Sequence, residues 1–147
     1  MTFFARTVVF LVAVFPLSSS ITGCSLHKYP MLDTRTTKSV LADYEQSAYP
    51  KDVIRYLFRH GRKRPAQDEL LEVAKWSLEH RIMFIRLVDK LKGDYKEAFL
   101  VEFSEALSSS EYRQPFETEF ATSAAPSVKR ILNQLQERSN DVASSVN

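Results

Sequence analysis

Cysteine and glycine are both scarce in this chain of 147 residues. Cys24 is the only cysteine, so the chain cannot form an internal disulfide and is not a disulfide-stabilised secreted domain. Three glycines are too few for the many tight turns of a hairpin-rich β fold. Two of them, Gly61 and Gly93, stand where helical patterns stop. The scarcity of glycine therefore favours an all-helical fold.

The sequence motifs of common enzymes are also missing. There is no HExxH, no GxSxG and no glycine-rich phosphate loop. The three histidines, at positions 27, 60 and 80, do not have the spacing of metal ligands, and no second cysteine completes a zinc site. We therefore expect no catalytic residue, no metal and no cofactor in this protein.

The first 24 residues form a pattern of their own. Arg6 precedes an apolar run of about ten residues, Val8–Leu17, which is too short to cross a membrane at roughly 20 residues per crossing. Residues 21–23 (Ile-Thr-Gly) then place one branched apolar and two small residues directly before Cys24. This pattern resembles the lipobox of bacterial lipoproteins.

The resemblance implies that residues 1–23 are a signal peptide, cleaved between Gly23 and Cys24, and that Cys24 carries acyl chains. Ser25 after the cysteine favours the outer membrane, so the predicted location is its periplasmic face, where no nucleic acid is expected as a partner. An ordinary secretory signal is the alternative. Residues 24–36 show no sustained period and predict a flexible lipidated tether, about 20 Å in reach.

Residues 37–139 predict an all-α domain, a compact bundle of five or six helices. Helices are expected over residues 37–48 and 51–60, and a third, long helix over residues 65–92. Pro50, Gly61 and Gly93 would separate these elements. The long helix would turn one broad face to the core, formed by Leu71, Ala74, Leu78, Ile82, Phe84, Ile85, Leu87, Val88 and Leu91.

Three further segments complete the predicted bundle. Asp94 and Glu97 resemble a capping box for a helix that buries Phe99, Phe103 and Leu107. Ser108–Ser110 would end that helix, and a weak helix would contain Phe116 and Phe120. The last helix is expected from Pro126 to about Arg138, and residues 140–147 predict a disordered tail.

Charge is unevenly distributed although the formal net charge is only +2. Residues 27–64 hold nine Lys and Arg against four Asp and Glu, whereas residues 65–147 hold ten against fourteen. The densest cations are Arg59, Arg62, Lys63 and Arg64, which could contact lipid phosphates or an acidic partner. The alternative is that these cations only form a solvated surface at the end of a helix.

Residues 59–65 (Arg-His-Gly-Arg-Lys-Arg-Pro) also resemble the RHGxRxP signature of the histidine acid phosphatases, in which a histidine attacks phosphorus. Lys63 stands where that signature has its second arginine, and the segment follows a helical pattern instead of a strand. The resemblance implies a phosphate pocket around His60. A helix end followed by a basic loop is the simpler interpretation.

A tethered helical domain without visible chemistry is expected to work by binding a protein in the periplasm or outer membrane. The first hypothesis is an accessory or assembly lipoprotein, similar in architecture to the pilotins of secretion systems, with an apolar groove formed by Tyr112, Phe116 and Phe120. The second is an immunity or exclusion lipoprotein that neutralises a toxin or blocks transfer. An enzyme using His60 and a spacer between membrane and cell wall remain as further alternatives.

Overall fold

The computed structural model describes residues 34–144, with side chains up to Asp141. This part of the chain contains seven α-helices, a single 3-10 turn and no strand. The all-α prediction is therefore confirmed, with more helices than the five or six expected. The predicted signal peptide, Cys24 and most of the predicted tether lie outside the described residues.

The helices follow one another with short connections. They are α1 (Thr37–Ser47), α2 (Pro50–Leu57), α3 (Gln67–Glu79), α4 (Arg81–Lys90), α5 (Gly93–Ser108), α6 (Arg113–Phe120) and α7 (Pro126–Ser144), with the 3-10 turn at Arg59–Gly61. The side chain of Thr36 caps α1 by accepting a hydrogen bond from the Ser39 amide. Pro50 begins α2 at a position that needs no backbone donor. None of these helices is both long enough and apolar enough to span a membrane.

The predicted long helix over residues 65–92 is wrong, because the chain breaks at His80 into α3 and α4. A straight helix of that length would extend about 40 Å, well beyond the other elements. With the break, the apolar stripes of both halves face the same core. Leu71, Leu78 and Ile85 are partly buried and pack against the edge of the core, whereas Ile82, which is 67% exposed, lies outside the core that the sequence assigned to it.

Aromatic side chains fill the centre of the bundle. Five phenylalanine rings from α4, α5 and α6 have no exposed area and pack with ring centroids 4.3–5.6 Å apart; they are Phe84, Phe99, Phe103, Phe116 and Phe120. Such contacts stabilise a core beyond the area they bury. The predicted burial of Phe99, Phe103 and Leu107 is confirmed.

Two details near the end of the chain correct the sequence interpretation. The predicted capping box at Asp94 and Glu97 is absent, because Lys92 is the N-cap of α5 and makes no side-chain cap, while Glu97 binds Arg130 of α7. In addition, α7 continues to Ser144, so residues 140–144 are helical where the sequence predicted a disordered tail. Residues 145–147 lie outside the described part.

Two ends of the bundle can be defined by their side chains. The basic end contains residues 59–64, and the first turn of α1 lies beside it, because the hydroxyls of Thr37 and Tyr56 are 3.3 Å apart. The guanidinium of Arg59 then lies 3.9 Å above the Tyr56 ring. The His80 end lies about 20 Å away along α3, at the rise of an α-helix per residue. There the hydroxyl of Tyr44 in α1 donates to the Met83 carbonyl of α4, at 3.0 Å.

Candidate functional site

Two of the four predicted contact cations are bound to a buried carboxylate of the protein itself. The Glu69 carboxylate, with a side chain only 6% exposed, lies 2.5 Å from Nη2 of Arg59 and 3.1 Å from Nη1 of Arg62. The same carboxylate accepts the Ala66 amide at the start of α3. Arg59 is itself only 17% exposed. Both arginines therefore join residues 59–64, which we call the basic segment, to α3. The sequence did not predict this structural role.

This arrangement also bears on the phosphatase-like motif. In the signature, the arginines hold a phosphate, whereas here Arg59 and Arg62 hold Glu69. His60 is exposed and has a left-handed backbone with φ of 58°. The Glu69 carboxylate occupies the place that the phosphate would take, and its negative charge repels a phosphate there. The geometry gives no support to a phosphate pocket around His60.

The other two cations remain at the surface. The side chain of Arg64 is 73% exposed and pairs with Glu102 of α5 at 3.0 Å. Lys63 is exposed and has no ion-pair partner within residues 34–144. The four predicted residues thus divide into two that bind Glu69 and two that do not.

A shallow groove of about 890 Å³ runs between the basic segment and the start of α5. Lys63, Arg64 and Lys92 line it together with Tyr95 and Val101. The Tyr95 ring packs on Phe58 with centroids 4.7 Å apart, yet 53% of the residue stays exposed. We call this surface the basic groove.

The predicted apolar groove of Tyr112, Phe116 and Phe120 is not present in the described structure. Phe116 and Phe120 have no exposed area, because their rings complete the aromatic core against Phe84. Tyr112 is half-buried and packs against the same core. Their helical spacing could not distinguish residues that face a ligand from residues that face the protein interior.

An apolar groove occurs instead at the His80 end, with a volume of about 700 Å³. We call it the His80 groove; its apolar lining is Ile82, Met83, Ile85, Ala124 and Ala125, from α4 and the connection between α6 and α7. Among the described large hydrophobic residues, Ile82 is the most exposed, at 67%. The sequence prediction missed this groove because a continuous helix over residues 65–92 placed Ile82 on the buried face.

Polar contacts bind His80 and Arg81, two residues that line the His80 groove, to neighbouring elements. The indole Nε1 of Trp76 donates to Oε1 of Glu45 at 2.6 Å, and Nε2 of His80 lies 3.2 Å from the same oxygen. The Trp76 and His80 rings stack with centroids 5.2 Å apart. Nη2 of Arg81, the next residue in the chain, donates to the Thr122 hydroxyl at 3.4 Å. The groove is therefore formed by anchored elements.

Residues 34–144 contain no group of three or more His, Cys, Asp or Glu side chains that could hold a metal ion. Burial raises the pKa of the Tyr44 hydroxyl, and the positive charge of Arg86 opposes that shift. The hydrogen-bonded Arg130 lowers the pKa of the Glu97 carboxyl on the surface. Neither group lies in a catalytic arrangement with the histidines described here.

Comparisons with protein-family models, with curated proteins and with solved structures find no match to this chain.

Proposed function

We propose that this chain is an outer-membrane lipoprotein that acts as a non-enzymatic accessory protein of a cell-envelope or secretion machine. In this proposal the His80 groove binds an amphipathic helix of a partner protein. The observation that carries it is the exposure of Ile82, 67%, on an apolar groove with anchored sides. Several apolar side chains that line one groove together, as Ile82, Met83 and Ile85 do here, are typical of an interaction site.

The chemistry of the groove favours a helix as its occupant. Its floor is apolar, while Glu79 and Arg81 place one charge of each sign at its edge. An amphipathic helix presents the matching pattern, an apolar stripe flanked by polar residues, and docks through anchors spaced by one helical turn. A pilotin-like role uses this mode of binding.

The proposed anchor is Cys24, through the resemblance of residues 21–24 to a lipobox. Several acyl chains hold a protein on a membrane stably, at about 0.8 kcal/mol per buried CH₂. The domain would then retain its partner helix at the periplasmic face of the outer membrane.

A photo-reactive amino acid at position 82 tests the proposal in cells that produce the full chain with its own leader. We expect it to cross-link to a helical segment of an envelope-machine component. Ile82→Asp should abolish copurification of that component. Because position 82 is in the first turn of α4, an aspartate there suits the helix dipole, so the fold should persist.

Tyr49→Asp is the matched control, because Tyr49 is also a large exposed apolar residue, 57% exposed, but lies outside the groove. It should copurify the partner normally. Cys24→Ala should leave the complex intact but release it from the outer membrane. If position 82 cross-links to the cleft of a toxin, the immunity hypothesis replaces this one. If Ile82→Asp binds the partner as the parent chain does, the groove is not the docking site.

A further inference from the structure

We propose that the basic groove is a membrane-facing surface that contacts the phosphates of anionic lipids. Lys63, Arg64 and Lys92 would supply the charges, and Tyr95 would enter the headgroup region. The inference rests on the proposed anchor at Cys24, and it adds the orientation in which the domain lies on the bilayer.

The position of the groove relative to α1 is the first argument. Residues 24–36 lead directly into α1, whose first turn contacts Tyr56 through Thr37. Phe58, two residues further on, packs on Tyr95 of the groove. The first turn of α1 therefore lies at the same end of the bundle as residues 59–64, and an anchor at Cys24 would bring that end toward the bilayer.

The second argument is the charge balance of the surface. Glu102 pairs with Arg64, and Glu97 pairs with Arg130, so the two glutamates of the groove are already matched by arginines. Lys63 and Lys92 have no ion-pair partner within the described residues, and both are exposed. Asp94 is the one carboxylate of the groove that remains without a described partner. Two lysines against one aspartate leave an excess of positive charge for lipid phosphates.

The third argument is the exposed tyrosine. The Tyr95 ring packs on Phe58 on one side and is 53% exposed on the other. Tyrosine is enriched at membrane–water interfaces because its ring is apolar and its hydroxyl is polar. Val101, 38% exposed, continues the apolar area along α5. Basic side chains around an exposed aromatic ring fit a lipid headgroup region.

Lysine footprinting tests this orientation on the acylated full chain purified from membranes. The protein is reconstituted into neutral phosphatidylcholine vesicles or into equimolar phosphatidylcholine and phosphatidylglycerol. The acetylation rate of each lysine is then measured by mass spectrometry. We expect Lys63 and Lys92 to react roughly fivefold more slowly on the anionic vesicles, from about 1 kcal/mol per basic residue at the surface. Lys51 and Lys75, which lie on α2 and α3, should react equally on both.

A double variant separates lipid contact from other causes of protection. Arg64→Glu combined with Tyr95→Ala leaves both reporter lysines in place and should return their rates to those on neutral vesicles. Arg86→Glu combined with Tyr49→Ala is the matched control and should keep the protection. Equal rates for Lys63 and Lys92 on the two vesicle types would overturn the inference, as would protection that persists in the first double variant.

The intact mass of the same preparation reports acylation independently. An unacylated Cys24 would refute the proposed anchor. Even without acylation, the footprint at a saturating vesicle concentration would show whether the basic groove contacts lipid. Contact through these lysines must depend on lipid charge. The two failures are therefore distinguishable.

Discussion

The Glu69 carboxylate brings two guanidinium groups together at the start of α3. It is 6% exposed and accepts hydrogen bonds from Arg59, from Arg62 and from the Ala66 amide. Taking a carboxylate out of water costs free energy, which pairing and hydrogen bonding must offset. Removal of its charge would leave the partly buried Arg59 without a counter-charge.

We therefore expect Glu69→Gln to lower the free energy of unfolding by about 3 kcal/mol, in the range measured when one partner of a buried ion pair is removed. Urea unfolding followed by circular dichroism measures this change. Glu72→Gln, on the exposed face of the same helix, should change stability by less than about 0.5 kcal/mol. Equal effects of the two substitutions would show that Glu69 is not the centre of the cluster.

The Tyr44 hydroxyl connects α1 to α4 and gives stability an alkaline pH dependence. Burial raises its pKa above the usual value, so the folded state holds the proton more tightly than the unfolded state. The associated stability is complete below the unfolded pKa of about 10 and is lost as pH rises through the folded pKa.

Tyr44→Phe should be less stable at pH 7 by about 1 kcal/mol, because the hydrogen bond to the Met83 carbonyl is lost. Above about pH 10, however, its stability should fall less steeply than that of the parent chain. Unfolding midpoints measured between neutral and alkaline pH test both effects. Tyr49→Phe, at an exposed tyrosine, should keep the parent slope; a steeper fall in Tyr44→Phe would contradict this account.

At the scale of elements, α6 contributes its apolar face to the core. Phe116 and Phe120 stack on each other at 4.3 Å and contact Phe84 of α4. A helix with both rings fully buried is a packing element, whereas a lid over a groove would expose them when open.

Phe116→Ala is accordingly expected to lower the free energy of unfolding by 3 to 5 kcal/mol, roughly the cost of a cavity of one phenylalanine. Thermal and urea unfolding would measure it. Thr118→Ala, exposed on the same helix, should have an effect of less than about 0.5 kcal/mol. A loss below about 1 kcal/mol for Phe116→Ala would indicate a ring that faces solvent.

The helix boundaries that depend on local capping and turn residues could be predicted from the sequence. The features that depend on tertiary packing could not. The start of α1, the proline at the start of α2 and the break at Ser108–Ser110 follow from capping and turn residues. The break at His80 has no glycine or proline to mark it, and the buried positions on both sides of it keep one helical phase. The His80 groove depends on that break, and the surroundings of His80 depend on contacts distant in sequence, such as Glu45 with His80.

At the scale of the whole molecule, the two candidate binding surfaces lie far apart. The basic groove and the His80 groove lie at opposite ends of α3, about 20 Å apart by helix rise. The polar residues that fix the His80 groove, such as Glu45 and Arg81, are not among those that line the basic groove. Distant sites without common contacts respond independently to substitution.

We therefore expect Ile82→Asp to leave the lysine footprint on anionic vesicles unchanged. Conversely, Arg64→Glu with Tyr95→Ala should leave cross-linking from position 82 unchanged. Measuring each variant in both assays tests this separation. A change in the second assay of more than about twofold would reveal coupling between the ends, since independent sites agree within about 0.5 kcal/mol.

The stacking of Trp76 on His80 has an optical consequence. Trp76 is the only tryptophan of the chain, so all indole emission comes from one ring, which is 9% exposed and stacks on His80, a residue that lines the groove. A ligand that moves His80 would change the surroundings of the indole and therefore its emission. The domain thus contains an intrinsic fluorophore that reports, without any label, on the state of the groove.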